Sequence, residues 1–217
     1  MIKNTPRFNQ KFYFDTLAQA TYRASDRDIS LFDSLSGIHY LIEYKVKNND
    51  EKNTLEAFKN SNQFKQHYKY YADLDKDNRT IVVFATHTVP ADQEIRAEDL
   101  TVCGIYTCES GWVETDNIKI SLSAFLFNMT INNSEDYWTI KVNSDRSGKT
   151  YFCRTHPLKI GDDSSWISPI LNASCLFKSQ DSCEKYIKER EKCGFNKANI
   201  YTIYNKQGEK YGEYICN

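Results

Sequence analysis

Glycine and proline are scarce in this chain, at 8 and 4 of 217 residues, which excludes a flexible or low-complexity polymer. No run approaches the roughly 18 consecutive apolar residues of a membrane span. The segment 1–10 lacks the apolar centre of a signal peptide. The expectation is therefore a soluble, cytoplasmic protein with no membrane partner, whose glycosylation sequons at Asn128, Asn132 and Asn172 stay unused. An excess of positive charge is also missing: 28 basic residues against 29 acidic give a net charge of −1. The bulk field thus gives no support for a nucleic-acid partner, although a site can still concentrate cations locally. Close cysteine pairs are absent too. Cys103, Cys108, Cys153, Cys175, Cys183, Cys193 and Cys216 are odd in number and form no CxxC, so reduced, mostly buried thiols are expected in place of a structural zinc site.

What is abundant is aromatic side chain, with 15 Tyr, 12 Phe and 3 Trp, which suits an ordered, strand-containing globule. Phe12, Leu17, Ala20 and Thr21 predict a helix over 9–24. Alternation predicts strands over 28–34 and 38–46, joined as a hairpin at Ser36-Gly37. Helical sequence follows over 54–73, broken near Ser61. The almost wholly apolar run Thr80–Thr86 suits a strand covered on both faces. A short helix over 91–98 and a strand over 100–108 complete an α/β layer. Beyond Gly111 the pattern predicts strands over 118–128, 137–142 and 149–154, a charged helix over 180–192, and a closing hairpin of 199–204 with 210–216. No repeat or low-complexity linker separates the halves. The expected organisation is a core over 1–115 and an α+β extension over 116–217, with the boundary near 110–118.

The segments around Asp28 and Leu41-Ile-Glu-Tyr-Lys-Val carry chemistry. With a two-residue loop at Ser36-Gly37, Asp28 lies opposite Lys45 and Ser30 opposite Glu43. Directly paired residues share a face, so Asp28, Glu43 and Lys45 project together. Ile29, Leu31, Ile42, Tyr44 and Val46 take the other face with Asp33, which argues against Asp33 as the catalytic acid; a one-residue slip would reverse that choice. Two carboxylates beside a lysine suit phosphodiester hydrolysis. Asp28 and Glu43 are expected to hold Mg2+ or Mn2+ through hard oxygens, with the Tyr44 carbonyl as a further ligand. Lys45 is expected to serve the attacking water and to stabilise negative charge. An isolated Glu-x-Lys is more often a solvent-exposed ion pair. Here a strand able to pair in register precedes it, and Gln66-x-x-x-Tyr70 follows on the next helix, immediately before the apolar strand.

In these residues the chain resembles the PD-(D/E)xK nuclease superfamily, over about residues 9–110. The resemblance implies a restriction-endonuclease-like core of helix, strand hairpin, helix and strand, as in its RecB-like and exonuclease-like branches. It matches Asp28 to the first acid, Glu43 to the second and Lys45 to the lysine. It places Gln66 and Tyr70 near the active site and the DNA. Arg27 stands where the motif's name has proline, and no acid on the first helix matches the extra carboxylate of some branches, Asp15 apart. The implied activity is metal-dependent cleavage of DNA, in restriction, phage defence or mobile-element biology. Alternatives are an inactive nuclease fold that binds nucleic acid or protein, and an inhibitor or effector acting through the C-terminal half, which is also where a homodimer or partner protein is expected to dock.

Other motifs have plainer explanations. Ser147-Gly-Lys-Thr150 lacks the leading glycine of a phosphate-binding loop, since position 143 is Asn, and is expected to be a turn. Cys153 and His156 lack a second pair. Lys65, His67 and Lys69 fit a DNA-backbone contact or a solvated helix face equally. His39 is expected to be structural or exposed, and His87 ends the buried strand. Trp112, Trp138 and Trp166 are expected in cores.

Overall fold

The computed structural model describes residues 12–13, 20–24, 29–46, 51–75, 77–87, 95–115, 119–143, 148–155, 166–172, 175–192 and 199–215. The chain is mixed α/β, and its contacts divide it into two units, one centred on Ala20–Asn128 and one on Met129–Asn217.

In the first unit, β2 (Ala20–Ala24), β3 (Ile29–Asp33) and β4 (Ile38–Val46) form an antiparallel meander. Two helical segments follow: α1 (Glu51–Lys59), then a π-helical turn (Phe64–Tyr68) continuing into α2 (Lys69–Leu74). The chain returns as β5 (Thr80–His87), parallel to and paired with β4. Across β5 lie β7 (Thr101–Thr107) and β8 (Gly111–Glu114), both antiparallel, with β9 (Ile120–Ser121) on β7. Two short strands, β1 (Phe12–Tyr13) and β6 (Ile95–Arg96), pair separately.

The β3–β4 register differs from the expected one. Asp33 pairs with Ile38 and Ile29 with Ile42, so the loop has four residues, not two, and Ser30 faces Leu41 in place of Glu43. The Asp33 carboxylate causes this. It is 1% exposed and accepts from the Leu35 N–H at 3.0 Å and the Ser36 hydroxyl at 2.5 Å, while Gly37 adopts φ 72° and donates to the Asp33 carbonyl. A side chain that closes its own turn, followed by a left-handed glycine, outcompetes the tighter loop. The slip is two residues, and side chains alternate with period two, so the faces are preserved. Ile29, Leu31 and Asp33 are buried on one side, while Ser30 and Phe32 lie on the side of Glu43.

Each side of the sheet has a cover. Leu41, Val82, Phe84 and Tyr106 pack under Leu55, Phe58, Phe64, Tyr68 and Ala72 of the helical segments. On the reverse, Tyr40 meets Phe125 edge-on at 6.3 Å. This double cover explains why all eight residues of β5 are buried, as its apolar run implies. The break near Ser61 is a cap: its hydroxyl accepts from the Phe64 N–H at 3.0 Å.

Three elements depart from expectation. Ala20–Ala24 is a strand, not the end of a helix, because pairing with β3 outweighs the weak helical spacing. Phe12–Tyr13 of the same predicted helix is likewise a strand, and its residues 9–11 and 14–19 lie outside the described residues. Ile95–Arg96 is a strand and Ala97–Asp99 a single 3-10 turn where a short helix was expected. Leu122–Asn133 is a helix, α3, where a strand was expected over 118–128. Leu122, Phe125 and Leu126 are buried at helical spacing, and Ser121 accepts from the Ala124 N–H at 3.3 Å. An apolar run of this length has no period that separates strand from helix.

The second unit is a five-stranded sheet in the order β12 (Ile167–Ser168), β11 (Thr150–Cys153), β10 (Trp138–Asn143), β13 (Ile200–Asn205), β14 (Lys210–Ile215). Helix α4 (Gln180–Lys192) lays Cys183, Tyr186 and Ile187 on Ile140, Val142, Tyr201 and Ile203. Its start is capped by Ser179, which accepts from the Ser182 N–H at 3.1 Å. Of the described cysteines, Cys153, Cys175 and Cys183 are buried, Cys103 is half-buried and Cys108 is exposed. Among the described residues, no helix is long and apolar enough to cross a membrane.

Candidate functional site

Strand β4 is central in its sheet, with β3 on one side and β5 on the other, and places Glu43 and Lys45 on the face beneath the helical segments. Glu43 is 0% exposed. Its Oε1 pairs with the Lys45 ammonium, and its Oε2 accepts from the Tyr68 hydroxyl at 2.8 Å. Lys45 keeps a third of its side chain exposed, so the ammonium links a buried carboxylate to the surface. A carboxylate so deeply buried is tolerated only because charge and hydrogen bonds compensate its lost hydration.

Tyr68 reaches Glu43 because the helical segment turns Phe64, Tyr68 and Ala72 inward at successive four-residue steps. The matched motif sits two residues out of phase with that face. Gln66 is exposed and Tyr70 is 58% exposed, so neither is brought to Glu43. Tyr68 is the residue that the motif's spacing missed. The i, i+4, i+8 recurrence of Phe64, Tyr68 and Ala72 is the signal that would have found it. Asp28 lies outside the described residues; Ile29, next in the chain, pairs with Ile42, next to Glu43. Tyr44 is buried on the opposite face, its ring 5.5 Å from that of His87.

His39 shares the Glu43 face but lies two pairs toward the turn, where its Nε2 and the Ser30 hydroxyl are 2.7 Å apart. Burial lowers its pKa, and the charge of Asp75 opposes that shift without reversing it. On β7, beyond β5, the Tyr106 hydroxyl donates to Asp73 at 2.6 Å. Burial first, then that bond, pushes its pKa up to about 12. The other motifs are structural where described. Cys153 is buried in the second core and His156 lies outside the described residues. Gly148-Lys149 precedes β11 in a connection between antiparallel neighbours. Trp112 joins the first core; Trp138 and Trp166 pack against the second.

Glu43 offers the hard oxygens that Mg2+ or Mn2+ prefers. Among the described residues, however, no three His, Cys, Asp or Glu side chains converge as a ligand set. The second acid of the expected ligand set, Asp28, lies outside the described residues. Comparison of the chain with family models, curated proteins and solved structures finds no match.

Proposed function

We propose that the first unit is a PD-(D/E)xK-type, restriction-endonuclease-like core, and that the protein is a nuclease hydrolysing DNA phosphodiester bonds with Mg2+ or Mn2+. The observation that carries this reading is Glu43-x-Lys45 on the last strand of an antiparallel meander that is followed by helix and a parallel strand. That order is the one the resemblance implies after its first helix. The unit beyond Asn128 would select substrate or mediate assembly.

In this reading Glu43 and Asp28 hold the cation, with the main-chain carbonyl of Tyr44 between Glu43 and Lys45 as a further oxygen. When bound, the metal supplies a water of lowered pKa and offsets charge on the phosphate. Lys45 orients that water from its partly exposed position and stabilises developing negative charge. Tyr68 fixes the Glu43 carboxylate, the support that the motif assigned to Gln66 and Tyr70.

Labelled single-stranded, double-stranded and branched DNA, incubated with Mn2+ or Mg2+, tests the proposal. Wild type cleaves; Glu43→Ala and Lys45→Ala do not. Mn2+ raises the melting temperature of wild type and of Lys45→Ala but not of Glu43→Ala. Equal cleavage by wild type and Lys45→Ala would assign the activity to a contaminant and end the proposal.

A second reading, a nuclease-like scaffold that binds nucleic acid or protein without turnover, is favoured by one observation. Glu43 is fully buried and both its oxygens already accept hydrogen bonds. A melting temperature indifferent to Mn2+, together with a destabilised Glu43→Ala, selects it.

A further inference from the structure

The four-residue turn closed by Asp33 brings a hydroxyl to an imidazole. Phe32 pairs with His39 and Ser30 with Leu41, so Ser30 and His39 are diagonal neighbours on one face of the sheet. With a two-residue loop they would stand four places apart along the strands, roughly 13 Å. Here the Ser30 hydroxyl is 2.7 Å from His39 Nε2, within the roughly 2.6–3.2 Å that joins a nucleophile to its base. It donates to Nε2 when the ring carries its proton on Nδ1. Both side chains are half-buried, and Phe32 beside them is 43% exposed, so a small molecule can reach the pair. Burial disfavours a resting charge on His39, while the charge of Asp75, at the end of α2, favours the imidazolium. A general base needs that balance: it rests neutral and is stabilised once it takes a proton.

We propose that Ser30 and His39 form a nucleophile–base pair that cleaves small carboxylic esters, with the acyl or aryl group lying against Phe32. The Ser30 oxygen bonds to the ester carbonyl carbon as its proton passes to His39 Nε2. The bond from that carbon to the alcohol oxygen breaks, and the alcohol leaves with the proton. Water then attacks the acyl-serine and gives a proton to His39, which returns it to the Ser30 oxygen as the carboxylic acid departs. Neither Glu43 nor Lys45 takes part, so the inference goes beyond the nuclease reading and is tested apart from it.

The test is the full chain in EDTA with p-nitrophenyl acetate, because chelation keeps metal-dependent hydrolysis out of the readout. Wild type releases a burst of p-nitrophenolate of about one per chain and carries an acetyl ester on Ser30, located by peptide mass spectrometry. His39→Gln keeps a polar partner for Ser30 and slows acetylation about 100-fold or more. Ser30→Ala abolishes it. Ser30→Cys restores it as a thioester at position 30, which separates loss of the nucleophile from loss of the fold. A wild type without the burst overturns the proposal. So does acetyl confined to lysines or to the exposed Cys108, or a His39→Gln variant that acetylates Ser30 at the wild-type rate.

Discussion

The Tyr68 hydroxyl donates to Glu43 Oε2 at 2.8 Å while the Lys45 ammonium holds Oε1, so a helix and a strand meet on one buried carboxylate. Tyr68→Phe removes a donor from an ionised acceptor in the core, at an expected cost of about 1–2 kcal/mol by urea denaturation. In a Glu43→Gln background the same change should cost less, because the charge that strengthens the bond is gone. The cycle is expected to give a coupling of about 1 kcal/mol. Equal costs in the two backgrounds would show that the phenol and carboxylate are not energetically linked.

The β3–β4 turn depends on a buried acid with a structural task. Asp33→Ala strips the Leu35 N–H and the Ser36 hydroxyl of their acceptor, for an expected loss of about 2 kcal/mol. Gly37→Ala forces a side chain into φ 72° and is expected to cost about 1 kcal/mol. Neither touches Glu43 or Lys45, so the Mn2+-induced rise in melting temperature should survive in both. Loss of that rise would mean that the register, and with it the site, is set at this turn.

The alternation of Ile38–Val46 made the faces of β4 legible in the sequence, and the even slip in register left them intact. Glu43 and Lys45 were therefore placed together correctly on a wrong loop. Tyr68 was hidden because a four-residue sequence motif competed with helical phase, and phase, set by Phe64 and Ala72 packing, decides which ring turns inward. α3 was misread because Leu122–Met129 is apolar at nearly every position, which carries no period; the serine cap at Ser121 was the overlooked cue. Ala20–Ala24 was misread because the pairing that makes it a strand is non-local.

His39 should make stability fall in mild acid. Burial lowers its pKa in the folded protein relative to the ordinary value near 6.5. Below that value the unfolded chain binds the proton more readily, so stability present above about pH 6.5 is lost as pH falls toward the folded pKa. His39→Gln keeps a polar partner for Ser30 and removes the titration. Its melting temperature should decline less than that of wild type between about pH 7 and 5. Parallel declines would rule out His39 as the source.

Gly104 lies on β7 directly beneath the indole of Trp112, and a Cβ there would meet Trp112 Cζ2 at 2.6 Å and Cε2 at 3.0 Å. The indole has little room to withdraw, because it packs against Phe58 and Phe64 at centroid distances of 6.0 and 5.5 Å. Those rings stand in the same cluster as Tyr68. Gly104→Ala is therefore expected to destabilise the first unit by about 1–3 kcal/mol through overpacking. The Trp112 emission should shift in Gly104→Ala, read against a Trp138→Phe/Trp166→Phe background that leaves one indole. Gly104→Ala/Trp112→Phe, with a smaller ring above the new methyl, should recover part of the loss. An alanine variant as stable as wild type would mean that the ring yields freely and that this edge of the core is loosely packed.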